Sequence, residues 1–198
     1  MKISTQIIIG LTLICAYVQA QHSHSHGETD THKPSAKKQK EMHTHQAPAK
    51  FQEQLNELFV SSLNLKDAFV DSDVSKVRAS AAEVKSSVAN VDLTLLKDES
   101  LMDWIGFMKK LNESLDMIAN SEDIAVQRKS FALFSDALYK SIKTLGVGGR
   151  PVYYDYCPMA DNNKGAYWLS AEKEIKNPYF GSSMLTCGSV KEIITNYN

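Results

Sequence analysis

The sequence predicts a mainly α protein, an antiparallel four-helix up-down bundle followed by a small C-terminal β-hairpin and loop module. Three observations lead there. Between Phe51 and Leu145 apolar residues recur at threes and fours in four separate runs, the period of an amphipathic helix. The runs are joined by short polar connectors, which make consecutive helices antiparallel neighbours. From Gly148 onward that period is lost, and aromatic, Pro and Gly residues alternate with turn signals. The bundle is placed at residues 51–147 and the C-terminal module at 148–198.

The first run is Phe51, Leu55, Leu58, Ser62, Leu65 and Phe69; Asp71-Ser72-Asp73 breaks it and supplies an N-cap for the next. Val74, Val77, Ala81, Val84, Val88 and Val91 form the second. Its period outranks its β-branched residues, because Ala, Lys and Glu fill the outer face. After a connector over 92–97, the third run is Leu101, Trp104 with Ile105, Met108, Leu111, Leu115 and Ile118. Asn120-Ser121-Glu122-Asp123 ends it and caps a fourth helix, where two acids favour the new N-terminus. Ile124, Arg128, Phe131, Ser135, Leu138, Ile142 and Leu145 complete the set, stopped by Gly146. Met102, Met108 and Met117 read as core filler, Arg128 as a snorkelling or buried, paired residue, and Gly146-Val147-Gly148-Gly149 as a hinge.

This body contains no histidine. A Ser-His-Asp or Cys-His arrangement cannot be assembled within it, nor the Glu-x-x-His pairs of a ferritin-like metal bundle. No Gly-rich phosphate loop or dinucleotide fingerprint follows a strand. The expectation is that the chain is not an enzyme.

Met1-Lys2 precedes an apolar run over 7–16 and then Val18-Gln19-Ala20, the pattern of a cleavable secretory signal at residues 1–20. The run falls short of the roughly 20 apolar residues a membrane-spanning helix needs. An exported protein, periplasmic or secreted, is expected, with no membrane attachment after cleavage. Removing that segment takes away Lys2 and no acid, moving the formal charge from −1 to −2. Such a balance argues against nucleic acid and gives no polybasic membrane patch. Cys15 leaves with the signal, so Cys157 and Cys187 are the two that remain, in an oxidising compartment.

All six histidines fall between His22 and His45, within a polar stretch, residues 21–50, that lacks apolar periodicity and is expected to be disordered. His22, His24 and His26, and His43 with His45, are spaced by single residues. Imidazoles so placed on a flexible chain can close round one Cu(II) or Zn(II) ion. The bland alternative is a solubilising tail.

In the C-terminal module, 152–156 and 166–169 are strand-like around the turn Asn162-Asn163-Lys164-Gly165, and 190–194 forms a last short element. Two sulfur pairs stand there in mirror order, Cys157-x-Met159 and Met184-x-x-Cys187, flanked by turns rich in aromatic residues. Two uses of the cysteines stay open. One is a disulfide closing a loop of about thirty residues, contributing about 3 kcal/mol in the chain-entropy model. The other is a Cu(I) site of two thiolates with Met159 or Met184, the soft ligand set that selects Cu(I).

Several blocks carry a family resemblance: Leu65-Lys66-Asp67-Ala68, Gln127-Arg128-x-x-Phe131, Tyr156-Cys157-Pro158-Met159-Ala160, Gly165-Ala166-Tyr167-Trp168-Leu169-Ser170, Asn177-Pro178-Tyr179-Phe180-Gly181 and Met184-Leu185-x-Cys187-Gly188. On these, residues 51–192 resemble a helical periplasmic domain of unknown function, found alone or fused to periplasmic adaptor subunits of heavy-metal efflux pumps. Tyr-x-Cys-Pro-Met is also similar to the opening of a small heavy-metal-binding domain of copper and zinc transporters. That pattern continues with His-Pro where this chain has Ala160-Asp161, so one of its ligands is missing. The resemblance implies metal handling outside the cytoplasm, with copper foremost. The expected function is an exported copper-binding protein that buffers metal or passes it to an efflux system. The alternative is an interaction module docking on an efflux adaptor, with Cys157–Cys187 a structural disulfide. A metal ion, and an adaptor, are the expected partners of a monomer.

Overall fold

The computed structural model describes residues 46–195. The expected signal segment, residues 1–20, and all the tail histidines lie outside the described residues. Four helices follow in order: α1 Ala49–Asp71, α2 Val74–Ala89, α3 Asp98–Ala119 and α4 Ile124–Leu145. A 3-10 turn, Leu93–Leu95, bridges α2 and α3. Each helix packs on its neighbour in sequence, and contacts at the ends give the up-down sense. Arg78 early in α2 donates to the Ala119 carbonyl ending α3, at 2.9 Å. The Leu145 carbonyl ending α4 accepts the Ala47 N–H at 2.9 Å and Gln52 Nε2 at 3.4 Å. At the opposite end Phe69 of α1 meets Phe131 of α4, ring centroids 4.6 Å apart.

The apolar runs are the buried stripes: Phe51, Leu55, Leu58, Leu65 and Phe69 in α1, Val77, Ala81, Val84 and Val88 in α2, Trp104, Leu111, Leu115 and Ile118 in α3. Asp73 and Asp123 cap as expected, accepting from the N–H groups of Lys76 and Ala125. Helix α4 departs from the single stripe. Besides Phe131, Leu138 and Ile142 it buries Phe134, Ala137, Ser141 and Thr144, because the C-terminal sheet packs on it as well. No helix among the described residues is long and apolar enough to cross a membrane.

Two expectations for this body are corrected, those for the methionines and for the glycine stretch after α4. Met102 and Met117 are exposed, at 67% and 50%, and of the three methionines only Met108 packs against the core. Met102 lies two positions from Trp104 and Met117 one from Ile118, so they turn away from the stripe by about 200° and 100°. Arg128, expected to snorkel or to be buried and paired, is half-buried, and its partners are not acids. It donates to the carbonyls of Pro178 (2.9 Å) and Phe69 (3.4 Å) and to Ser72 Oγ (2.8 Å). It thereby adds a side-chain donor to the Phe69 carbonyl near the end of α1, which also accepts the Ser72 N–H at 3.1 Å. The glycine stretch after α4 is pinned rather than hinged, since the Gly148 N–H donates to the Gln52 carbonyl at 3.0 Å.

The C-terminal module holds β1 Val152–Cys157, β2 Ala166–Ser170 and β3 Ser189–Ile194. They form an antiparallel sheet in the order β2-β1-β3. The expected hairpin is β1–β2; the last short element adds the third strand. Register pairs Tyr153 with Ser170, Asp155 with Trp168 and Cys157 with Ala166, which sets these residues on one face. A register shift against β3 falls between Tyr154 and Asp155. A stack of tyrosines fastens the sheet to α4: Tyr139 on Tyr154 at 3.8 Å, Tyr154 on Tyr167 at 4.6 Å. Tyr139 also donates to Glu192 of β3 at 2.8 Å.

Candidate metal centre

Cys157 ends β1, is fully buried, and is held in the ladder opposite Ala166. Cys187 lies outside the strands, after the 3-10 turn Gly181–Met184, with its N–H donating to the Met184 carbonyl at 3.0 Å. The next residue, Gly188, has φ +145°, and a Cβ there would come within 2.9 Å of the Trp168 ring and 3.0 Å of the Tyr156 carbonyl. Only glycine lets the chain pass so close to β1. The approach brings the two sulfurs to 3.1 Å, both as free thiols. Contact with the Cys157 thiol, and secondarily burial, holds the Cys187 thiol above its ordinary range. Cys187 is part-exposed, so the pair has one reachable and one enclosed sulfur.

The two methionines are not placed alike. Met184 sits one turn before Cys187. Met159 is 44% exposed and lines a cavity of about 700 Å³ between the first half of α4 and the turn after β1, beside Arg128, Lys129 and Phe180; Met184 is not among its lining. That turn, Ala160–Asn163, carries three successive residues at positive φ, Asp161, Asn162 and Asn163. These are the residue types that tolerate the left-handed region best. The structure thus joins the two cysteines across thirty residues, while the mirrored thioethers occupy different settings.

Among the described residues no group of three or more His, Cys, Asp or Glu gathers round one point. Cys157 and Cys187 are the two thiols among the described residues, and they stand together. His22, His24, His26, His43 and His45 lie outside the described residues. Two groups at this site escaped the sequence reading. Asp155, two residues before Cys157 and on the same face, is fully buried, and neither carboxylate oxygen has a hydrogen-bond partner among the described residues. Burial pushes its carboxyl up to about 7, against the opposing pull of Lys66. Alternation along Val152–Cys157 was the available signal for it. Asn177, fully buried, holds the Cys187 segment from ten residues away, and no local pattern announces that.

Residues 58–149 match a family model described as a protein of unknown function (DUF3347). The matched span takes in most of the four helices and stops before β1, so neither cysteine lies within it. No curated protein matches the chain, and no solved structure does.

Proposed function

We propose that this chain is an exported soft-metal-binding protein whose Cys157–Cys187 pair takes up Cu(I), buffering it or passing it on. The observation that carries the reading is the 3.1 Å approach of the two thiols, one enclosed at the end of β1 and one reachable from solvent. Thiolate sulfur favours Cu(I) over hard cations. Two thiolates on one Cu(I) leave a single negative charge, and binding releases the thiol protons. Affinity for Cu(I) is therefore expected to rise with pH until both thiols are ionised. The resemblance to domains fused to efflux adaptors makes a periplasmic pump the natural recipient. The tail histidines His22, His24, His26, His43 and His45 extend the same role to Cu(II) or Zn(II).

The same sulfur approach also supports a second reading. In an oxidising compartment the pair closes to a disulfide, and the chain is an interaction module docking on an efflux adaptor.

The test is a thiol count on protein taken from its exported compartment, then competition for Cu(I) against a chromophoric chelator, before and after reduction. Uptake of one Cu(I) by the reduced protein is expected. No uptake after reduction would end the metal reading and leave a structural staple. Removing residues 21–45 should abolish most Cu(II) and Zn(II) binding, and the intact chain should lose it as pH falls through about 6.5, where imidazole protonates. Unchanged titration heats after the deletion would make the tail a solubiliser.

A further inference from the structure

The turn that carries Cys187 is held by one side chain. Asn177 is fully buried, and its two backbone and two side-chain polar atoms are all engaged. Its N–H donates to the Leu185 carbonyl at 2.8 Å, and its carbonyl accepts the Gly181 N–H at 3.1 Å. Its Oδ1 accepts the Tyr179 N–H at 2.8 Å, and its Nδ2 donates to the Cys187 carbonyl at 2.7 Å. The Oδ1 bond shapes the turn over 177–181. The Nδ2 bond reaches across ten residues to the peptide of a proposed ligand. Arg128 anchors the adjoining Pro178 carbonyl to the end of α1, so the turn is itself fixed to the bundle.

Cys157 gains its position from the strand ladder, but Cys187 lies outside any strand. Of the two sulfurs, Cys187 is the one whose place depends on side-chain support. We propose that Asn177 is a positioning residue for Cys187, holding its peptide so that the two thiols stay within contact distance. It thereby sets how readily the pair closes on a metal or on itself. The metal half of this inference rests on the Cu(I) reading; the thiol half does not. Release of the Cys187 carbonyl widens the arc its sulfur samples and lowers the effective concentration of one thiol for the other. Disulfide formation and two-sulfur metal capture both lose preorganisation.

The experiment uses the full chain, equilibrated with reduced and oxidised glutathione. Two electrons and two protons pass from the thiol pair to oxidised glutathione, which leaves as two thiols while the intramolecular S–S bond forms. Asn177→Ser keeps a hydroxyl able to accept the Tyr179 N–H but too short to reach the Cys187 carbonyl; Asn177→Ala removes both bonds. In Asn177→Ser the equilibrium constant for closing the pair is expected to fall about tenfold, a potential about 30 mV less negative. Cu(I) affinity, by chelator competition, should fall by a similar factor. Leu115→Ala, a core change in α3, should lower the melting temperature and move neither quantity. Potentials of both Asn177 variants within about twofold of the parent, on the same conversion, would overturn the proposal. So would failure of both variants to fold, which would make Asn177 a general support. If the parent takes up no Cu(I), the metal reading fails and Asn177 is judged on the potential alone. If the parent binds Cu(I) and the variants keep both potential and affinity, only the positioning role falls.

Discussion

Replacing Cys157 and Cys187 together by serine is expected to abolish Cu(I) uptake by the reduced protein. The loss should exceed about a hundredfold, beyond the usual effect of residues that merely support ligands. Serine oxygen is a poor donor for a soft ion, and no third His, Cys, Asp or Glu stands by among the described residues to replace it. The single variants should differ in stability. Cys157 is fully enclosed, so Cys157→Ser buries a hydroxyl and costs about 1–3 kcal/mol if it finds no partner. Cys187→Ser, part-exposed, should cost less. Met184→Leu and Met159→Leu conserve volume. Met184, one turn before Cys187, is expected to weaken Cu(I) more than Met159, whose side chain lines the cavity beside Arg128. A staple gives a different pattern. Both methionine changes would then be silent, and the double serine variant of oxidised protein would lose about 3 kcal/mol of stability and no metal. Chelator competition and denaturant unfolding of the five variants separate the two.

Asp155→Asn is expected to stabilise the protein at pH 8, an unusual sign for a change at a fully buried site. The carboxyl has no hydrogen-bond partner among the described residues, and burial pushes it up to about 7, well above its ordinary value of 3.8. The folded chain therefore holds this proton over a range where the unfolded chain has released it. Stability is thus highest below the unfolded value and is lost as pH rises from about 4 to about 7. Above that range the charged carboxylate sits in the core with Lys66 as its counter-charge, and the Lys66 ammonium is already paired with Asp67 at 2.8 Å. Asparagine keeps the shape and never ionises. A gain of about 1–3 kcal/mol at pH 8, shrinking toward zero near pH 4, is the expected result. Urea unfolding of both proteins at the two pH values checks it. A variant less stable than the parent at pH 8 would mean that the carboxylate is well solvated or paired.

Much of the fold was legible before any coordinates. Four runs of the 3.6 period became four helices, and the caps at Asp73 and Asp123 formed where polar residues interrupt those runs. Periodicity is a local property, and a helix buries whichever face its own spacing makes apolar. It failed at α4, which carries the sheet as well as the bundle and so buries Ser141 and Thr144 alongside its main stripe. Periodicity itself leaves Met102 and Met117 off the α3 stripe, and both are exposed; side-chain type alone pointed to the core.

The candidate site divides in the same way. Sequence alone determined which residues have the chemistry, namely two cysteines beyond residue 150, two flanking methionines and a histidine cluster confined to 22–45. It also set the turns, since Asn, Pro and Gly act on the backbone beside them. Only the tertiary structure decided that Cys157 and Cys187 touch, that Met159 lines a cavity beside α4, and that Asn177 and Asp155 belong to the same neighbourhood. Each of these depends on where β1, the 177–188 excursion and α1 come to rest against one another. That is fixed by burial of surface between segments distant in the chain, a free energy to which no single stretch of residues holds the key.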